Sequence, residues 1–102
     1  MCSIEFLAVV IEFSDEVPRG HAALLDQLRR AATSIPLNIA EAAGRTGSEG
    51  AARHHAIARG SAMECAAVFD VGRLLKIRGD ATHARGSALL TRLVEMLTRL
   101  CR

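Results

Sequence analysis

The sequence has no tryptophan and no tyrosine, and only three phenylalanines among its 102 residues. Aromatics normally supply the largest buried areas of a core, so this core has to be built mainly from aliphatic side chains. Proline is scarce, at two residues, while alanine and leucine number 18 and 12. That mixture is rich in helix formers and poor in the β-branched and aromatic residues that fill sheets, and it predicts an all-α protein. The three cysteines, Cys2, Cys65 and Cys101, make an odd count with no C-x-x-C pair. A disulfide framework and a zinc knuckle are therefore not indicated, and a reducing, cytoplasmic setting fits best.

No apolar run reaches the length of roughly 20 residues that a bilayer-spanning helix needs. The best candidate, Ile4 to Phe13, carries Glu5 and Glu12 and has no basic stretch ahead of it, so it reads as neither signal peptide nor membrane anchor. No segment is rich enough in Pro, Gly or Ser to be a linker. Half the residues are apolar and about a quarter charged, which describes a single compact domain over residues 1–102 rather than a disordered chain.

No Glu is followed by His three residues later, so the ligand pattern of a di-metal bundle is missing. His54 and His55 are adjacent, about 100° apart on a helix, and do not chelate together as an i, i+4 pair does. One is expected to pack in the core and the other to be solvated. Neither a phosphate-binding loop nor an activated nucleophile is evident, and the expectation is a non-enzymatic protein with no cofactor and no metal.

Hydrophobic periodicity places four helices. Ile4 to about Phe13 forms a short first helix, broken by the segment from Ser14 to Gly20 with its Pro18 and Gly20. From His21 to about Arg45, Leu24, Leu28, Ala32, Ile35, Ile39 and Ala42 step by three or four. The stripe stays in phase across Pro36, which favours one kinked helix over two. Thr46-x-x-Glu49 offers a capping box for a third helix that runs to about Arg78 along Ala58, Ala62, Cys65, Phe69, Gly72 and Leu75. Leu90, Leu93, Leu97 and Leu100 give a fourth, from about Thr82 to Leu100, with bundle-seam spacing. Short connections imply an antiparallel up-down-up-down four-helix bundle. Alanine-rich seams bury little area, so association with further copies would add stability.

The second helix also carries a line of polar residues at Gln27, Arg30, Ser34, Asn38, Glu41 and Arg45. The run from Gln27 to Arg45, with Ser-Ile-Pro-Leu-Asn-Ile-Ala-Glu at its centre, resembles the four helix bundle protein family, also called the 23S ribosomal-RNA intervening-sequence protein family. Ile57-Ala-Arg-Gly-Ser-Ala-Met-Glu64 is similar to that family's block on the third helix, and the resemblance covers about residues 24–75. It also extends to the accessory variability proteins of diversity-generating retroelements. It implies the bundle fold, a homo-oligomer in the form of a pentamer, no established enzyme activity, and RNA or DNA binding as an extension from the retroelement proteins. Ala51 and His54 stand where relatives tend to have aromatics, a loss of core volume.

Asn38, Glu41 and Arg45 match the first block, and Ser61 and Glu64 the second. These five are read as a structural polar network that fixes helix register or closes a subunit interface, since nothing supports Glu41 and Glu64 as an acid/base pair. The net charge of +2 hides an asymmetry, with −3 over residues 1–51 and +5 over residues 52–102. In the basic half, Arg85, Arg92 and Arg99 recur every seven residues and share one face of the fourth helix. Such a cationic surface suits phosphate backbones, which are bound mainly through counterion release. The rival reading is a protein-interaction scaffold whose charges only solvate its surface.

Overall fold

The computed structural model describes residues 2–17, 20–75 and 80–100. Four α-helices account for nearly all of them: α1 (Cys2–Glu16), α2 (Ala22–Ala43), α3 (Ser48–Leu74) and α4 (Asp80–Leu100). Each helix packs on its neighbours in the chain, and α1 closes the ring against α4. Pairs across the seams give the directions. Gln27 meets Glu64, Ser34 meets Ser61 and Asn38 meets His54, so α2 and α3 run antiparallel. Phe69 against His83 and Arg59 against Thr98 show the same for α3 and α4, as Cys2 against Leu89 and Glu12 against Arg85 do for α1 and α4. The bundle measures 44 × 21 × 20 Å.

The expected stripes form the core, though not residue for residue. Leu28, Ala32, Ile35, Ala58, Ala62, Cys65, Leu93 and Leu97 are buried, joined by Leu25, Ala31 and Val68, while Leu75 and Leu100 are exposed. All three phenylalanines meet in one cluster. Phe6 and Phe13 stand edge-on to Phe69, with centroid distances of 6.1 and 5.6 Å. The aromatic part of the core is thus concentrated where α1, α3 and α4 converge.

The first helix is not short: it spans 15 residues. The helix continues beyond Phe13 to Glu16, with the Ser14 hydroxyl held within it as Oγ donates to the Val10 carbonyl at 2.8 Å instead of ending it. Gly20, with φ of 109°, then makes the turn into α2, a conformation L side chains rarely adopt. α2 is continuous through Pro36. The Thr46 capping box does not form; Gly47 is the N-cap, without a side-chain hydrogen bond, and α3 is described to Leu74, the expected end near Arg78 lying outside the described residues.

Candidate functional site

Side chains of the α2–α3 seam form a hydrogen-bonded chain whose direction can be assigned from donors and acceptors alone. Asn38 Nδ2 donates to the Ser34 carbonyl at 2.9 Å and to Ser34 Oγ at 3.0 Å, and Ser61 Oγ donates to the same Ser34 hydroxyl at 2.9 Å. With its amide nitrogen so engaged, Asn38 presents Oδ1, an acceptor, to His54 Nδ1 at 3.1 Å. His54 therefore carries its proton on Nδ1. Its bare Nε2 accepts from Arg45 Nη2 at 3.2 Å, and Arg45 in turn donates to Glu41 Oε1 at 3.0 Å.

Of the five residues expected in this network, Asn38, Glu41, Arg45 and Ser61 are brought together. Glu64 is not. It sits beside Gln27, whose Nε2 lies 3.4 Å from Glu64 Oε2. Gln27 and Glu41 are separated on α2 by about 21 Å of helix at 1.5 Å per residue, far too great for Glu41 and Glu64 to share a reacting group. Ser34, which heads the Ser-Ile-Pro-Leu-Asn run, and His54 complete the chain, although neither is among the five expected residues. Their signal was periodicity: Ser34 precedes Asn38 by one turn, and His54 precedes Ser61 by one heptad. His54 is half-buried and uses both ring nitrogens in hydrogen bonds. His55 is not solvated either, for it too is half-buried, with Nδ1 enclosed and unpartnered.

The hydrogen bonds of this seam tie side chains of α2 to side chains of α3. Asn38 stands between the serine hydroxyls and the imidazole, so no serine is deprotonated by His54. Cys65, one turn beyond Ser61, is buried, and burial pushes its thiol up to about 12, with the Glu64 carboxylate adding to the shift. It is no nucleophile at neutral pH. Cys2 is a free thiol whose Sγ lies 3.7 Å from the Leu89 carbonyl. Among the described residues no group of three His, Cys, Asp or Glu side chains could hold a metal ion, and no helix is long and apolar enough to cross a membrane.

The three arginines of α4 do not share one environment. Arg85 Nη2 lies 2.9 Å from Glu12 Oε1 on α1, an ion pair across the α1–α4 contact. Arg92 and Arg99 are exposed, flank Glu95, and edge a shallow hollow with Cys2 and Met96. Neither forms an ion pair among the described residues. Arg59 of α3 donates through Nε to Thr98 Oγ1 of α4 at 2.8 Å.

Compared with families of known proteins, residues 1–99 match the one described as 23S rRNA-intervening sequence protein. The chain belongs to this family. The match takes in both sequence blocks, the seam they build and the arginines of α4. No curated protein matches the chain. As a 23S rRNA-intervening sequence protein, it shows an all-helical four-helix architecture in which the Ser34 and Asn38 positions of the Ser-Ile-Pro-Leu-Asn run serve the α2–α3 contact.

Proposed function

We propose that this 23S rRNA-intervening sequence protein is a non-enzymatic cytoplasmic module that assembles with copies of itself and holds RNA or DNA electrostatically. The observation that carries the reading is the pair Arg92 and Arg99: two exposed guanidinium groups, seven residues apart on one face of α4, with no carboxylate among the described residues holding them in an ion pair. Guanidinium groups so presented suit phosphate oxygens and need no base-specific geometry. The family's description, which names a ribosomal-RNA intervening sequence, agrees with this.

Self-assembly is supported by the outer face of α3. Met63, Ala67, Val71 and Leu74 succeed one another at intervals of four, four and three residues, and all are exposed, Leu74 to 83%. The elongated bundle exposes 6245 Å², where a compact monomer of its mass exposes about 5,600 Å². A second copy is the occupant we assign to this uncharged stripe, and a pentamer is the assembly implied by the family resemblance.

Fluorescence anisotropy with a structured RNA and with a DNA duplex, over a salt series, tests the binding. Affinity should fall steeply with salt, and Arg92→Gln with Arg99→Gln should flatten the slope by about one per lost phosphate contact. Sedimentation velocity tests the assembly, with Leu74→Glu expected to lower the mass. A folded oligomer that binds neither probe at low salt would turn the reading to a protein-interaction scaffold.

A further inference from the structure

Between the start of α1 and the C-terminal half of α4, a hollow of about 320 Å³ is lined by Cys2, Arg92, Glu95, Met96 and Arg99. That volume is at the low end of the range for small-molecule sites. Arg92 and Arg99 stand about 10 Å apart along the helix at 1.5 Å per residue, and Glu95 and Met96 lie between them. All three charged side chains are exposed, and none forms an ion pair among the described residues. Cys2 and Met96, both half-buried, are the uncharged members of the described lining.

Phosphate contacts alone do not account for this arrangement. A carboxylate between two guanidinium groups repels a phosphate backbone, so Glu95 weakens a purely electrostatic contact. What a carboxylate favours is a hydrogen-bond donor, and the amino group of a base is one: cytosine offers its N4 hydrogens to Glu or Asp, whereas uracil has a carbonyl oxygen at the same place. Thioether sulfur packs well against the edges of aromatic rings, and guanidinium planes stack on bases. In a continuous duplex each base is stacked and paired; an unpaired nucleotide can turn its base outward to such groups.

Given Arg92 and Arg99 as phosphate contacts, we infer that the hollow between them takes the base of a single unpaired nucleotide, cytosine in preference to uracil, with Glu95 accepting from the exocyclic amino group and Met96 against the ring. The two arginines then hold the backbone on either side of that nucleotide. Bulged or single-stranded nucleic acid is bound in preference to a continuous duplex.

Fluorescence anisotropy of the intact protein with four RNA hairpins of one common stem tests this, the stem being fully paired or carrying a single bulged cytidine, uridine or abasic nucleotide. The bulged cytidine should bind about tenfold more tightly than the abasic bulge and about fivefold more tightly than the bulged uridine. Glu95→Gln, a change at an exposed position, should erase the difference between cytidine and uridine and tighten the fully paired hairpin, because a repelling charge is gone. Arg92→Gln with Arg99→Gln should weaken all four hairpins together. A bulged cytidine held no better than the abasic bulge, or a cytidine preference that is absent or that survives Glu95→Gln, would overturn the base site and leave the phosphate contacts standing. Absence of binding to every hairpin at low salt would overturn both.

Discussion

The two long seams of this bundle are held by different means. Between α2 and α3, six polar side chains from Glu41 to Ser61 are linked donor to acceptor, and every polar group used there is committed to another side chain. Where α1 meets α3 and α4, rings do most of the holding. Phe6, Phe13 and His83 surround Phe69, and Gly86 lets the backbone of α4 come so close that a Cβ there would stand 3.0 Å from the Phe69 ring and 3.4 Å from Val9. The contrast teaches where function can reside. Hydrogen bonds are directional and fix which residue of α2 faces which of α3, but they consume the groups that make them. Ring packing consumes no charges, and on that side of the molecule Arg92 and Arg99 are left open.

The largest effect should come from breaking the ring-packed side. Phe69→Ala removes the ring that three others touch and is expected to cost about 3–5 kcal/mol, read as a fall in denaturant midpoint. Next comes Gly86→Ala. On an exposed helix this change gains roughly 0.5–1 kcal/mol, as Gly60→Ala should, because a Cβ on Gly60 meets nothing within 4 Å. At Gly86 the added methyl presses on a ring already enclosed, so the sign reverses, to a loss of about 1–3 kcal/mol. Stabilisation by both alanines would show that Phe69 can move aside and that the ring cluster is loose.

On the polar side, Asn38→Ala should cost about 1–2 kcal/mol, since it leaves His54 Nδ1 and a serine hydroxyl with one partner fewer. Added to His54→Ala it should cost less than the sum of the two single changes, because both remove the same bond; strict additivity would mean that the chain is not a unit. The Cys65 thiol sharpens the comparison through pH. The unfolded chain ionises its thiol around 9.0 and the folded one not until about 12. The unfolded state therefore sheds its proton first, and the stability Cys65 contributes is intact below pH 9 and lost as pH rises toward 12. Chemical denaturation from pH 8 to 10.5 reads this, with Cys65→Ala expected to flatten the profile. The smallest effect belongs to Arg85→Ala, whose exposed ion pair with Glu12 contributes under about 1 kcal/mol.

Much of the architecture is legible in the residues. Alanine and leucine stripes at helical spacing locate four helices, and continuity of the α2 stripe across Pro36 correctly outweighs the proline. Helix ends are less legible because they depend on local competition. Ser14, a residue that suits turns, bonds back to Val10 inside α1 instead of ending it, and Gly47 rather than Thr46 caps α3. Of the seam, the α2 side is plain from its polar line, while His54 is hidden by its chemical ambiguity, since an imidazole suits a core as well as a hydrogen-bond chain. The Arg85–Glu12 pair could not be read from periodicity on α4, because it depends on the register in which α1 lies against α4.

The measurement that tests the central claim most directly compares salt-dependent RNA binding by Arg92→Gln/Arg99→Gln with binding by Arg45→Gln, alongside thermal melts of both. The account predicts that the α4 variant loses affinity and salt slope at unchanged melting temperature, whereas Arg45→Gln melts earlier and binds RNA as the parent does. Equal loss of binding in both, or loss in Arg45→Gln alone, would contradict the division of the molecule into a seam that consumes its polar groups and a face that keeps them free.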